Sequence, residues 1–242
     1  MKGFVAAGLL IFLTACAMFE RKLVWRVRDM VQSGSAEVHL LGANQETMAS
    51  LSTMTMKKVM LAHFRITRAA GVQAELVVVN GDDPNAFAGR IEQRQVIAIN
   101  LAMVKLLGDD IDEFAAILGH EAAHLAKGHG DASNTRTKTF DAIGTLAAIG
   151  LQAAGVPAAG TIAGLSIQLI EASYSRDQER EADALGVSYM VESNFNPYAA
   201  VRMHEKILKA SGGTLLPFLS SHPSGQERIE NLKGIIAAPK SP

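Results

Sequence analysis

His120-Glu121-Ala122-Ala123-His124 sets two histidines four residues apart, with a glutamate directly after the first. A helix turns through roughly 100° per residue, so positions i and i+4 share one face. Both imidazoles can then face one metal ion, and Glu121 can act on a water at that metal as general base. Zinc is the expected occupant, one per chain, because it favours histidine nitrogen and can leave one position open for water. With only seven histidines in 242 residues, the pattern is uncommon by chance. The chemistry it points to is metal-assisted hydrolysis.

The neighbouring residues are those of a helix. Asp110 with Glu113 three residues later reads as a capping-box-like start. Phe114, Ile117, Leu118 and Leu125 form an apolar stripe at helical spacing, and Gly128 and Gly130 favour termination. A third ligand must come from elsewhere. His129 is five residues past His124, rotated by roughly 140° on a helix, so it is expected beside the site rather than on the metal. Downstream, Glu179 and Asp183 are four apart within Ser175–Gly186. Glu179 can bind the metal while Asp183 holds a ligand histidine through its other ring nitrogen. Glu181 has a different azimuth and is the weaker candidate.

The order of these segments resembles the M48 peptidases, the gluzincin family that includes the CAAX prenyl endopeptidases, the heat-shock membrane protease HtpX and bacterial periplasmic lipoprotein proteases. The resemblance is carried by His120–His129 (H-E-A-A-H-L-A-K-G-H), Glu179–Gly186 (E-R-E-A-D-A-L-G), Ser221-His222-Pro223 with Arg228-Ile229, and Pro84-Asn85-Ala86-Phe87-Ala88 upstream. It spans about residues 75 to 235. It implies His120, His124 and Glu179 as zinc ligands, Glu121 as base and Asp183 behind a ligand histidine. It also implies that His222 lies near the metal, either stabilising the oxyanion or occupying the open position at rest. Arg228 either orients that loop or simply packs. The sequence departs from the family after Asn85–Ala88: Gly89 leads directly into Arg90-Ile91-Glu92-Gln93-Arg94-Gln95, and Asn100-Leu101-Ala102 stands where Gly-Leu-Leu is usual. Specificity is where this departure falls. His39, His63 and His204 receive no chemical role.

The first residues address the compartment. Lys2 precedes a ten-residue apolar run, Phe4 to Leu13, too short to span a bilayer and suited to a signal peptide. Leu13-Thr14-Ala15-Cys16 matches a bacterial lipobox, so residues 1–15 are expected to be removed and Cys16 lipidated. Cys16 is the only cysteine, which leaves no disulfide framework and no thiolate site. Acyl chains on that cysteine suffice for stable anchoring. Ala17 gives no aspartate-type retention signal, so the expected location is the periplasmic face of the outer membrane of a Gram-negative cell. A formal net charge of -1 without a basic stripe excludes nucleic acid as a partner.

The expected fold is α+β and mainly helical: a zincin-like metallopeptidase domain with a small β-sheet. Residues 16–40 read as N-terminal anchor and linker, 41–236 as the domain, and 237–242 as a tail. Within it, a long helix is expected over Gln45 to Ala70, strands at Leu76–Val79 and Val96–Ile99, and a helix Leu101–Leu107 capped by Asn100. Residues 142–170 carry no charge; Gly155-Val156-Pro157 splits them into what reads as an apolar helical hairpin. The expected activity is zinc-dependent endopeptidase cleavage of unfolded or misassembled cell-envelope proteins. The substrate would lie extended along Asn85, Ala86, Phe87 and Ala88 by strand addition. The alternative is a chaperone-like assembly factor that binds envelope proteins and rarely cuts, with His222 holding the zinc closed.

Overall fold

The computed structural model describes residues 21–91, 94–130, 161–168, 174–212, 216–222 and 225–238. Residues 1–20, with the lipobox and Cys16, lie outside them, as does most of the apolar interval 142–170. Five strands form the main sheet: β1 (Arg21–Arg26), β4 (Glu75–Val79), β5 (Ala86–Ile91), β6 (Arg94–Asn100) and β8 (Leu165–Gln168), in the order β5-β6-β4-β1-β8. Only β4 and β6 run parallel; the other pairs are antiparallel. A smaller sheet places β2 (Glu37–Leu41) between β3 (Thr47–Ser52) and β7 (Thr161–Ala163). The helices are α1 (Val27–Gln32), α2 (Thr53–Ala70), α3 (Leu101–Leu107), α4 (Ile111–Lys127), α5 (Arg176–Glu192), α6 (Tyr198–Ser211), α7 (Pro217–Ser221) and α8 (Gln226–Ala237). This is the expected α+β fold.

Three expectations need correction. Residues 21–40 are not a linker, because they supply β1, α1 and most of β2. Trp25 of β1 is fully buried, and its indole N–H donates to the Leu41 carbonyl at 3.1 Å, which ties the two sheets together. The long helix begins at Thr53 rather than Gln45. Thr47–Ser52 pairs instead with β2 across a turn in which Gly42 N–H donates to Glu46 O at 2.8 Å, and the Ser52 hydroxyl then caps α2. Finally, the described part of the apolar interval, 161–163 and 165–168, is strand rather than helical hairpin.

Sequence and structure agree where the signal is local. Asn100 caps α3 by accepting from Met103 N–H at 2.8 Å, and the same oxygen accepts from Asn85 N–H at 3.0 Å. One side chain thus starts a helix and pins the entry to β5, an edge strand. Asp110 caps α4 by accepting from Asp112 and Glu113 N–H at 3.0 and 3.2 Å. The reciprocal half of the box is absent, since buried Glu113 pairs with Lys206 at 2.6 Å and Arg202 at 3.4 Å. Gly128 ends α4 at φ 63, a conformation glycine adopts without penalty.

From Glu113 to His124 every residue of α4 is buried, so the helix is enclosed on all sides. Its closest approach is to α5, at Gly119 and Gly186. A Cβ at Gly186 would stand 3.1 Å from the His120 nitrogen and 3.2 Å from the Gly119 carbonyl carbon. Main-chain atoms cannot swing aside, so Gly186→Ala should push the helices apart at a cost of about 1–3 kcal/mol. Thermal melts and metal titration of that variant should show a lowered midpoint together with weaker metal binding. A midpoint shift without loss of metal affinity would mean the crossing does not set the ligand spacing.

His63, on the half-buried side of α2, carries a pH effect away from the site. Burial lowers its pKa from 6.5 to about 4, with a main-chain bond to Ala74 opposing only in part. Between those values the unfolded chain binds a proton that the fold refuses, so stability falls as pH drops through the window. Over that range the wild type should lose more of its melting temperature than His63→Gln. Equal losses would show that His63 takes up its proton without cost.

Candidate metal centre

α4 supplies His120, Glu121 and His124, α5 supplies Glu179 and Asp183, His222 caps the C-terminal end of α7, and α8 supplies Arg228. Four donors, one each from His120, His124, Glu179 and His222, all lie within 4.8 Å of one another. His120 Nε2 is 3.1 Å from His124 Nε2 and 3.1 Å from His222 Nδ1. Glu179 reaches His222 Nδ1 at 3.0 Å, His124 Nε2 at 3.3 Å and His120 Nε2 at 3.5 Å. Donors bound tetrahedrally at 2.0–2.1 Å stand about 3.3 Å apart, so this set fits a metal ion of that coordination. The cluster is closed to solvent, with none of the four side chains more than 3% exposed.

The groups behind the donors fix their orientation. Asp183 meets His120 Nδ1 at 3.1 Å, which leaves Nε2 to face the other donors. Arg228 Nε donates to Asp183 at 2.8 Å, and its other nitrogens reach both Asp183 and Glu179. Burial alone would raise the Asp183 pKa, but Arg228 and His120 hold the carboxyl well below its ordinary range. Glu121 is fully buried, neither oxygen meets strict hydrogen-bond geometry with a partner among the described residues, and burial pushes its pKa up. Among the described residues His222 Nε2 is likewise without a hydrogen-bond partner, and it lies 3.5 Å from Glu121. Unsatisfied atoms concentrated beside a satisfied network mark a place for a ligand. The Ala88 main chain, on edge strand β5, favours the charged form of Glu121, so that strand lies beside the base.

Other contacts have no signature in the sequence. Tyr174 stacks on His124 with ring centres 3.7 Å apart, and Phe218 stacks on His222 at 4.7 Å. Tyr174 N–H also donates to Ser221 O at 3.1 Å, lacing its segment to α7. His204, given no role above, joins the buried network at 3.4 Å from Arg228 and 3.8 Å from Asp183. His129 lies beside the centre as expected: its Nδ1 is 2.9 Å from His124 Nδ1, and its other nitrogen meets Glu181 at 3.2 Å.

Three imidazoles and a carboxylate converging in a buried pocket, with a further buried glutamate next to the first helical histidine, make a cluster that could hold a metal ion. Residues 46–236 match Peptidase family M48, and the chain belongs to that family. It is 29% identical over 188 residues to the mitochondrial metalloendopeptidase OMA1 of Schizosaccharomyces pombe, covering 75% of this chain and 52% of that one. It is 26% identical to the metalloprotease YcaL of Escherichia coli, over 70% of this chain and 65% of that one. A third relative, the Beta-barrel assembly-enhancing protease of Escherichia coli, is 26% identical over 64% of this chain and 33% of that one. The chain thus spans a third to just under two thirds of these relatives.

Proposed function

We propose that this protein is a zinc-dependent endopeptidase acting on unfolded or misassembled proteins of the bacterial cell envelope. The observation that carries the reading is the juxtaposition of four convergent buried donors with the fully buried carboxylate of Glu121. His120, His124 and Glu179 would hold the ion, with Asp183 and Arg228 fixing His120 and Glu179 from behind. When bound, zinc would polarise the scissile carbonyl and make water a stronger nucleophile near neutral pH. Glu121 takes the proton from the attacking water and returns it to the leaving amine. Its burial-raised pKa suits both transfers. Substrate lies extended against β5, the terminal strand of the main sheet, and pairs with its main chain near Asn85–Ala88. Backbone pairing of that kind selects extended chains over folded ones.

His222 adds a second element. Its Nδ1 stands among the donors and the cluster is sealed, which supports a resting state in which His222 takes the fourth position. Cleavage then requires His222 to withdraw; once it has, its ring is available to the developing oxyanion. The lipobox at Leu13–Cys16 supports anchoring through a lipidated Cys16 at the periplasmic face of the outer membrane. Envelope assembly complexes are the partners such a location offers. Among the described residues, no helix is long and apolar enough to cross a membrane.

Casein hydrolysis by the full chain, before and after chelation and zinc restoration, tests the peptidase reading. Activity that survives chelation would refute it. His222→Ala should retain zinc and cleave casein several-fold faster if the side chain plugs the site. A loss of activity with zinc still bound would instead give His222 the oxyanion role alone.

A further inference from the structure

α2 buries Met56, Val59, Ala62 and Ile66 and turns a second stripe outward. Met54, Lys57, Leu61, Phe64 and Arg68 are all exposed and recur at alternating spacings of three and four residues, which places them in one line along the helix. Met54 and Phe64 are 62% exposed and Leu61 is 43% exposed. No Asp or Glu occurs between Thr53 and Ala70. Lys58 is engaged by Asp109 at 3.7 Å, and Arg65 lies over the Phe195 ring at 5.7 Å. Lys57 and Arg68 make no ion pair among the described residues. Phe64 also walls an open cavity of about 900 Å³ whose lining includes Arg28, Arg90 and Arg94. Glu75, the acid in that lining, is tied to Arg26 at 3.7 Å and Arg94 at 3.9 Å. Apolar side chains interleaved with cations, beside an arginine-lined hollow, suit a surface of apolar chains under anionic headgroups.

We propose that the outward stripe of α2 docks on an anionic phospholipid bilayer, with Met54, Leu61 and Phe64 seated at the acyl boundary and Lys57 and Arg68 among the phosphates. The arginine-lined cavity beside Phe64 receives a headgroup. Charge complementarity favours lipid over a second copy of this chain, whose identical stripe would bring cation against cation. The proposal rests on the anchored placement of the chain and is independent of its peptidase activity. β1 begins at Arg21, five residues after Cys16, so a lipidated Cys16 would hold the domain within about 17 Å of the membrane.

The test reconstitutes the full chain into vesicles of phosphatidylglycerol with phosphatidylethanolamine, or of phosphatidylcholine alone, each with brominated acyl chains. Phe64→Trp is compared with the parent chain, whose single tryptophan, Trp25, is fully buried. The reporter at position 64 should lose at least about half its emission in the anionic vesicles, while the parent changes little. Adding Lys57→Glu and Arg68→Glu should abolish the quenching and leave zinc content and casein cleavage intact. Flotation of the vesicles reads the anchor separately. Protein that floats without quenching overturns the docking face and spares the anchor; protein that does not float overturns both. Equal quenching in phosphatidylcholine, indifference to charge reversal, or a concentration-dependent dimer that shields position 64 in detergent would each overturn the proposal.

Discussion

Glu121→Gln is expected to lower casein cleavage by about 10²–10⁴-fold, the range a positioned general base contributes, while zinc content stays unchanged. The amide keeps the size of the carboxylate, so no cavity opens in a site that is fully buried. The amide oxygen can still accept from the Ala88 main chain, which favours the charged form of Glu121. What changes is the ability to accept a proton. Because the glutamate is not among the four convergent donors, metal quantified in parallel preparations should match. Full activity with zinc bound would remove Glu121 from the chemistry. Loss of zinc would instead place it on the metal.

Arg228→Met is expected to be the most destabilising single change outside the apolar core. Arg228 is 4% exposed, and its guanidinium serves two carboxylates, Asp183 and Glu179, that are themselves buried. Removing one member of such a group strands the others as uncompensated charge, at about 3–5 kcal/mol. For a chain of this size that is a fall of roughly 10 °C in melting temperature. Metal affinity should fall about 10–100-fold as well, as when groups that orient ligands are lost. Bound metal offsets part of the Glu179 charge, so the midpoint should fall further in chelated protein. A pairing control is Arg228→Met with Asp183→Asn, which should recover part of the loss. If the double variant is no better than Arg228→Met, the arginine acts by packing alone.

How much of this was legible in the sequence depends on how local each signal is. α4 could be read because its cap, periodicity, terminating glycine and paired histidines all fall within Asp110–Gly128. Glu179 and Asp183 were legible as a pair four residues apart on one helix face. β1 was not, because Arg21–Arg26 finds its partners in β4 and β8, far along the chain, and nothing local marks it as an inner strand. β3 is not separable from α2 by pattern alone, because Met48 and Leu51 continue the apolar spacing of the helix while the pairing that makes Thr47–Ser52 a strand lies on β2. Arg228 stayed ambiguous, since its value lies in meeting two carboxylates on another helix. The stacking of Tyr174 and Phe218 on the histidines is a tertiary fact with no sequence pattern at all.

The order in which these parts appear along the chain bears on biogenesis. β1, the first described strand, lies inside the sheet, and its neighbour β8 arrives only near residue 165. Long-range pairings of this kind form late in folding. The metal donors are scattered still more widely: two lie on α4, one opens α5, and one follows α7 near the C-terminal end. A nascent chain therefore carries the histidine pair before the glutamate that completes the cluster. A centre assembled from donors so far apart along the chain is completed only once the whole domain has closed.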